Sequence, residues 1–273
     1  MRDASIDYNA HAPAYPRQRR ADPRIAERVH AALGEARTVV NVGAGSGSYE
    51  PADRWVLAVE PSAGMRAQRP PQLAPAIDAR AEALPLDDDT VDAAMAIITI
   101  HHWSDPLAGL RELRRVARGP VLVLTFDIDV LAGFWMLRDY LPEALADDRQ
   151  RFPTIEQVTD VLGGACVEPI PIPADCTDGF FEAHYARPEA YLDPAVRAAQ
   201  SVWPRLLPNL EQRAVAALSA DLASGVWDAR HGHLRECSDL LEIPKPVLDA
   251  ILDVAARLFF RFRDVHRADQ PPL

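Results

Sequence analysis

Hydrophobic positions along this chain change their spacing several times, and the changes mark out the elements. Short apolar runs bounded by turn residues come first: Val39, Val40 and Val42 lead into Gly43-Ala44-Gly45-Ser46-Gly47, and Val56 to Val59 end on Glu60. Runs of this kind fit buried parallel strands. Two more occupy 91–100 (VDAAMAIITI) and 121–126 (VLVLTF). Between them the period becomes helical. Asp22-Pro23 offers an N-cap and a first-turn proline ahead of Ile25, Val29 and Leu33, with Gly34 as the stop. Residues 63–78 start helically and are broken by Pro70-Pro71. Asp105-Pro106 opens a helix with Leu107, Leu110, Leu113 and Val116 on one face, closed by Gly119. Residues 48–55 are too few for a full crossover helix, so a cramped link with about one helical turn is expected there.

The alternation of strand and helix predicts an α/β fold with a doubly wound, mostly parallel, Rossmann-like sheet. After residue 126 the regularity loosens. A helix is expected over 154–162 and a proline-laced edge strand over 167–173. Residues 174–230 are mostly helical in pattern and rich in aromatics, which reads as an insertion covering something. Val247, Ile251, Val254, Leu258 and Phe262 predict an amphipathic terminal helix over 246–266. The chain therefore divides into an N-terminal arm (1–20), a core (21–173), a helical lid (174–236) and a C-terminal tail with its helix (237–273). That helix is a candidate homodimer surface.

At 273 residues the length suits one large domain carrying an insertion. A net charge of −11 argues against a sequence-independent nucleic-acid partner. Cys166, Cys176 and Cys237 make no CxxC pair and are odd in number, which favours a reducing compartment over zinc or a disulfide framework. No run reaches about 18 apolar residues, and the first ten residues lack a signal core. The expectation is a cytoplasmic protein with no metal and no membrane partner.

Glycines at alternate positions let the backbone turn sharply and let a ligand approach without meeting a Cβ. A carboxylate at the next strand tip, Glu60, can accept both hydroxyls of a ribose diol. The two together predict a nucleoside site. A dinucleotide fingerprint would need glycine or alanine where Ser48 stands, so an NAD-type oxidoreductase is the second reading. His101 and His102 end the strand over 91–100, and one of them is a candidate base. On an extended strand end their side chains would point opposite ways. His231 and His233, two apart, lack a third ligand at metal-like spacing.

The order VVNVGAGSG (39–47), VLAVEPS (56–62), RAEALPLDDDTVDAAM (80–95) and IHHWSDPLAGLRELRRVARGPVLVLTF (100–126) resembles the class I S-adenosylmethionine-dependent methyltransferases. The similarity is to the branch of ubiquinone- and menaquinone-biosynthesis-type small-molecule enzymes, and it covers roughly residues 8–172. It implies S-adenosyl-L-methionine as cofactor, S-adenosyl-L-homocysteine as product and a small organic acceptor taking a methyl on O, N or C. Gly43, Ala44 and Gly45 would lie against the methionine part, and Glu60 would hold the ribose. Ala81 and Glu82 would edge the adenine, with Pro61, Ser62 and Met65 on its other side. Tyr8 and Tyr15 match the paired tyrosines of a closing arm. Trp103, His184 and Tyr185 are candidates for the acceptor pocket. Asn41 departs from the family, which usually carries an acid there, and the last strand of the usual hairpin is missing from the pattern. Those departures motivate a third reading, a non-catalytic nucleoside-binding module.

Overall fold

The computed structural model describes residues 18–164 and 166–239 and the pair Phe260–Arg261. Tyr8, Tyr15, the arm up to residue 17 and the expected terminal helix, apart from Phe260–Arg261, lie outside the described residues, as does any dimer surface on that helix.

Helix α1 (Pro23–Ala32) starts where the sequence predicts, with the Asp22 carboxylate accepting the Arg24 N–H. Strand β1 (Thr38–Val42) follows, then β2 (Trp55–Val59), α2 (Ala63–Ala67), β3 (Ala93–Ile97), α3 (Pro106–Val116) and β4 (Val121–Leu124). Asp105 caps α3 through the Ala108 N–H. The link between β1 and β2 holds turns only; the expected helical turn does not form. Past β4 the chain is more regular than its sequence pattern suggests. It forms α4 (Ile128–Leu131), a π-type turn at Met136–Tyr140, α5 (Pro142–Arg151) and α6 (Ile155–Val161). Thr154 and Gln157 close a reciprocal cap at the start of α6.

The sheet runs β2-β1-β3-β4-β6-β5, with the first four strands parallel. β5 is only Cys166–Val167, shorter than the expected edge strand, because Pro169, Pro171 and Pro173 have no N–H for a ladder. The terminal segment also departs from expectation. Phe260–Arg261 forms strand β6, antiparallel to both β4 and β5. A last strand therefore exists inside the stretch whose helical spacing masked it.

Alternation along the strands splits the core between the two faces of the sheet. Ala93, Met95, Leu122 and Leu124 join α1 and the lid on one face; Ala94, Ala96, Val121 and Val123 meet Leu110, Leu113 and Val116 of α3 on the other. The lid adds 3-10 turns at Phe181–His184, Pro188–Leu192, Trp203–Arg205 and Gly232–Glu236. Its helices are α7 (Pro194–Ala198), α8 (Pro208–Ser224) and α9 (Val226–His231). Trp135 anchors the lid: its ring meets Trp227 at 5.3 Å and Tyr191 at 5.6 Å, both edge-on, and its Nε1 donates to the Tyr185 carbonyl at 2.9 Å. Lid and sheet thus share one apolar mass.

Candidate active site

Where β1 ends, Gly43 and Ala44 both donate to the Val59 carbonyl, at 2.9 and 3.0 Å, so the glycine turn is pinned across the tip of β2. Gly43 has φ +71°, and a Cβ there would sit 2.1 Å from Thr99 Oγ1. Only glycine fits that contact. Ile98, just after β3, also has a positive φ of 51°. For a β-branched residue this costs about 1–3 kcal/mol and is tolerated where surrounding structure over-determines it.

Glu60 leaves the end of β2 nearly buried, and its two oxygens divide their work. Oε2 accepts from Gly45 N at 2.9 Å and Oε1 from Ser62 N at 2.8 Å. Burial pushes its carboxyl up, while those two N–H groups and Arg66 and Arg69 oppose the rise. Each oxygen keeps a lone pair for a hydroxyl donor.

The same region opens into a cavity of about 800 Å³, a size that suits a cofactor with a small acceptor beside it. Gly43, Ala44, Gly45, Glu60, Pro61, Ser62, Met65, Ala81 and Glu82 line it as the resemblance implied. The Glu82 carboxylate itself turns to Ser104 Oγ (2.8 Å) and Asp105 N (3.0 Å), tying its loop to the start of α3. Asn41 also lines the cavity. Its Nδ2 donates to Glu50 at 3.0 Å, and its Oδ1 is buried with no partner among the described residues. Glu50 in turn forms a nearly solvent-free ion pair with Arg69 at 2.9 Å. The negative charge absent from position 41 therefore stands behind it, on a residue the motif does not register.

His101 and His102 occupy a 3-10 turn at Ile100–His102 rather than an extended strand end. Their rings are 3.9 Å apart, and both line the cavity, so they do not point opposite ways. His101 stacks on Phe152 at 4.3 Å. Burial, reinforced by neighbouring positive groups including Arg151 and Arg205, holds both imidazoles well below the usual histidine range. Either can accept a hydrogen bond, yet both are poor sinks for a proton.

Trp103 lines the cavity, whereas His184 and Tyr185 do not. Those two pack inside the lid's aromatic core, with His184 edge-on to Tyr191. Their neighbours Phe180, Phe181 and Glu182 face the cavity instead, because the 3-10 turn rotates successive side chains differently from a strand or an α-helix. His231 bonds Asp139 at 2.9 Å.

Arg19, Asp148, Glu182 and Arg205 also line the cavity and carry no motif. Arg205 grips Asp148, and its Nε lies 3.0 Å from Asp147. Burial raises the Asp148 carboxyl to about 6 despite that partner. Glu182 is 5% exposed, its Oε2 has no partner among the described residues, and burial raises its carboxyl to about 8. Its folded value thus lies above its value in the unfolded chain. The stability it contributes is complete below the ordinary glutamate range and is lost as pH rises through about 8. Glu182→Gln is accordingly expected to melt higher than wild type at pH 9 and nearly alike at pH 4.5. Parallel melting curves at every pH would contradict this burial effect.

A profile for a methyltransferase domain matches residues 40–123, the span from within β1 to within β4. Uncharacterized methyltransferases from Mycobacterium bovis and Mycobacterium tuberculosis are 35% identical over 126 residues, 43% of this chain and 50% of theirs. The chain spans about half the length of these curated relatives. A crystal structure from Anabaena variabilis, described as a methyltransferase from an antibiotic biosynthesis pathway, is 29% identical. It aligns with a TM-score of 0.78 over 91% of this chain and 100% of its own. That overlap includes the lid as well as the sheet. The residues in place fit the cofactor of this group: a turn with glycine at alternate positions, a carboxylate with a lone pair left on each oxygen for a diol and, at Asn41, an unpaired acceptor for an ammonium. Over residues 40–123 the chain carries a methyltransferase domain, and in fold and sequence it is similar to S-adenosylmethionine-dependent methyltransferases of class I.

Proposed function

We propose that the protein transfers a methyl group from S-adenosyl-L-methionine to a small organic acceptor held under the lid. One observation carries the reading. A single cavity joins the glycine turn and Glu60 on one side to an aromatic chamber of Phe126, Phe152, Phe180 and Phe181 on the other. S-adenosylmethionine, when bound, supplies a methyl already activated on a positively charged sulfur. Alignment and dryness are then most of what the protein must add. Gly43, Ala44 and Gly45 hold the amino-acid end, with Asn41 Oδ1 accepting from its ammonium. Glu60 fixes the ribose, and the loop at Ala81 and Glu82 edges the base. The lid walls keep water from the reacting atoms. The division into a core over 21–173 and a lid over 174–236 serves this arrangement. The net charge of −11 favours a small acceptor over a nucleic acid. Among the described residues no helix is long and apolar enough to cross a membrane.

The test separates the two nucleoside readings. S-adenosylhomocysteine at about 100 times its Kd should stabilise the protein by about 2.7 kcal/mol and raise Tm by several degrees. NADH at the same concentration should leave Tm unchanged. A shift with NADH alone would put the oxidoreductase in its place.

A further inference from the structure

We infer that Glu182 is the group that takes the proton from an uncharged hydroxyl acceptor as the methyl arrives; the inference rests on the methyltransferase reading above. Glu182 belongs to the turn Phe181–His184 and lines the cavity alongside Phe180 and Phe181. It is 95% shielded from solvent, and its Oε2 has no partner among the described residues. A carboxyl oxygen left bare in an apolar wall is costly unless a ligand satisfies it. Every other acid in this part of the cavity is engaged: Asp148 is held by Arg205. The histidines are too weakly basic to serve, as their burial shows.

The titratable and charged surroundings are these. Asp148 and Arg151 come from α5, Arg205 from the turn Trp203–Arg205, and Arg19 from the segment before α1. His101 and His102 line the same cavity, and Tyr191 in the lid feels the charge of Glu182. Asp148 favours the protonated form of Glu182 and Arg19 the ionised form, with burial dominant. Without a cofactor, Glu182 is a neutral acid near pH 7. Beside a positive sulfonium its carboxylate is favoured, so it becomes a base only when a methyl is ready to move. In the step itself the acceptor oxygen forms a bond to the methyl carbon, and the carbon–sulfur bond breaks with its electron pair staying on sulfur. The hydroxyl proton passes to Glu182 Oε2. A sulfonium, a carboxylate and an alcohol give a thioether, a carboxylic acid and a methyl ether, and charge balances. An already ionised acceptor such as a carboxylate would need no such group.

The experiment compares two ligands that share every charged group except the sulfur. Calorimetric Kd values for S-adenosylmethionine and S-adenosylhomocysteine are measured from pH 6 to 9 on wild type and Glu182→Gln. In wild type the affinity for S-adenosylmethionine relative to S-adenosylhomocysteine should climb about tenfold or more between pH 6 and 8 and then level off. In Glu182→Gln the ratio should stay constant, with S-adenosylhomocysteine affinity within about twofold of wild type. A flat wild-type ratio, or a rise that survives in Glu182→Gln, would overturn the assignment while leaving the cofactor site intact. Failure of S-adenosylhomocysteine to bind at any pH would instead remove the methyltransferase reading and this inference with it. If Glu182→Gln does not fold, Glu182→Met, which removes the carboxyl at similar volume, takes its place, and its ratio should likewise stay constant with pH.

Discussion

Glu60→Ala should raise the Kd for S-adenosylhomocysteine about 10- to 100-fold while leaving the melting transition cooperative. Two hydroxyls lose a charged acceptor, and charge-assisted hydrogen bonds are worth about 1.5–3 kcal/mol. The effect has a second source within the protein. Gly45 N and Ser62 N both donate to this carboxylate, so its removal also loosens the turn at Gly45, although Gly43 and Ala44 still hold it to Val59. Glu60→Gln should fall between wild type and Glu60→Ala, because an amide keeps one acceptor and loses the charge. Calorimetry checks both variants, and an unchanged Kd for Glu60→Ala would take the residue out of the site.

Arg205→Ala should lower stability by about 3–5 kcal/mol near neutral pH, which corresponds to a Tm lower by roughly 10 °C. Arg205 and Asp148 are both almost fully buried, and deleting the cation leaves a carboxylate uncompensated in the interior. Burial holds the Asp148 carboxyl at about 6 even with Arg205 beside it, and loss of the arginine pushes it higher still, so at pH 5 the acid is protonated and no orphaned charge remains. The loss should therefore be clearly smaller at pH 5 than at pH 7.5. Calorimetric melting at the two values tests it; equal losses would mean that packing of the arginine stem, and not its charge, is what matters.

The cofactor half was legible because its physics is local. A strand end, a turn that tolerates no Cβ at Gly43 and an acid one strand over leave a fixed signature, and the structure assembles them as the spacing predicts. The acceptor half was not, because its residues come together only in three dimensions. Asp148 lies in the last turn of α5, Arg205 ends a 3-10 turn and Arg19 precedes α1, and no spacing in the chain links them. His184 and Tyr185 were attractive for their chemistry, yet a one- to three-residue shift on a 3-10 turn decides who faces the cavity. The charge behind Asn41 was hidden for the same reason: Glu50 lies in an irregular link, touches Asn41 directly and is held by Arg69, nineteen residues on. β6 was missed because a helical period of five apolar residues overrode a two-residue strand that only its neighbours β4 and β5 define.

Trp135, Tyr191 and Trp227 pack into the same apolar mass as the strands beneath them. Exchanging this cover for a relative's would strip half the sheet bare, so new specificities are more accessible by small edits than by swapping modules. Divergence toward other acceptors is therefore confined to the few side chains that touch the hollow, Phe180, Phe181 and Gln200 among them, while the ceiling that carries them stays put.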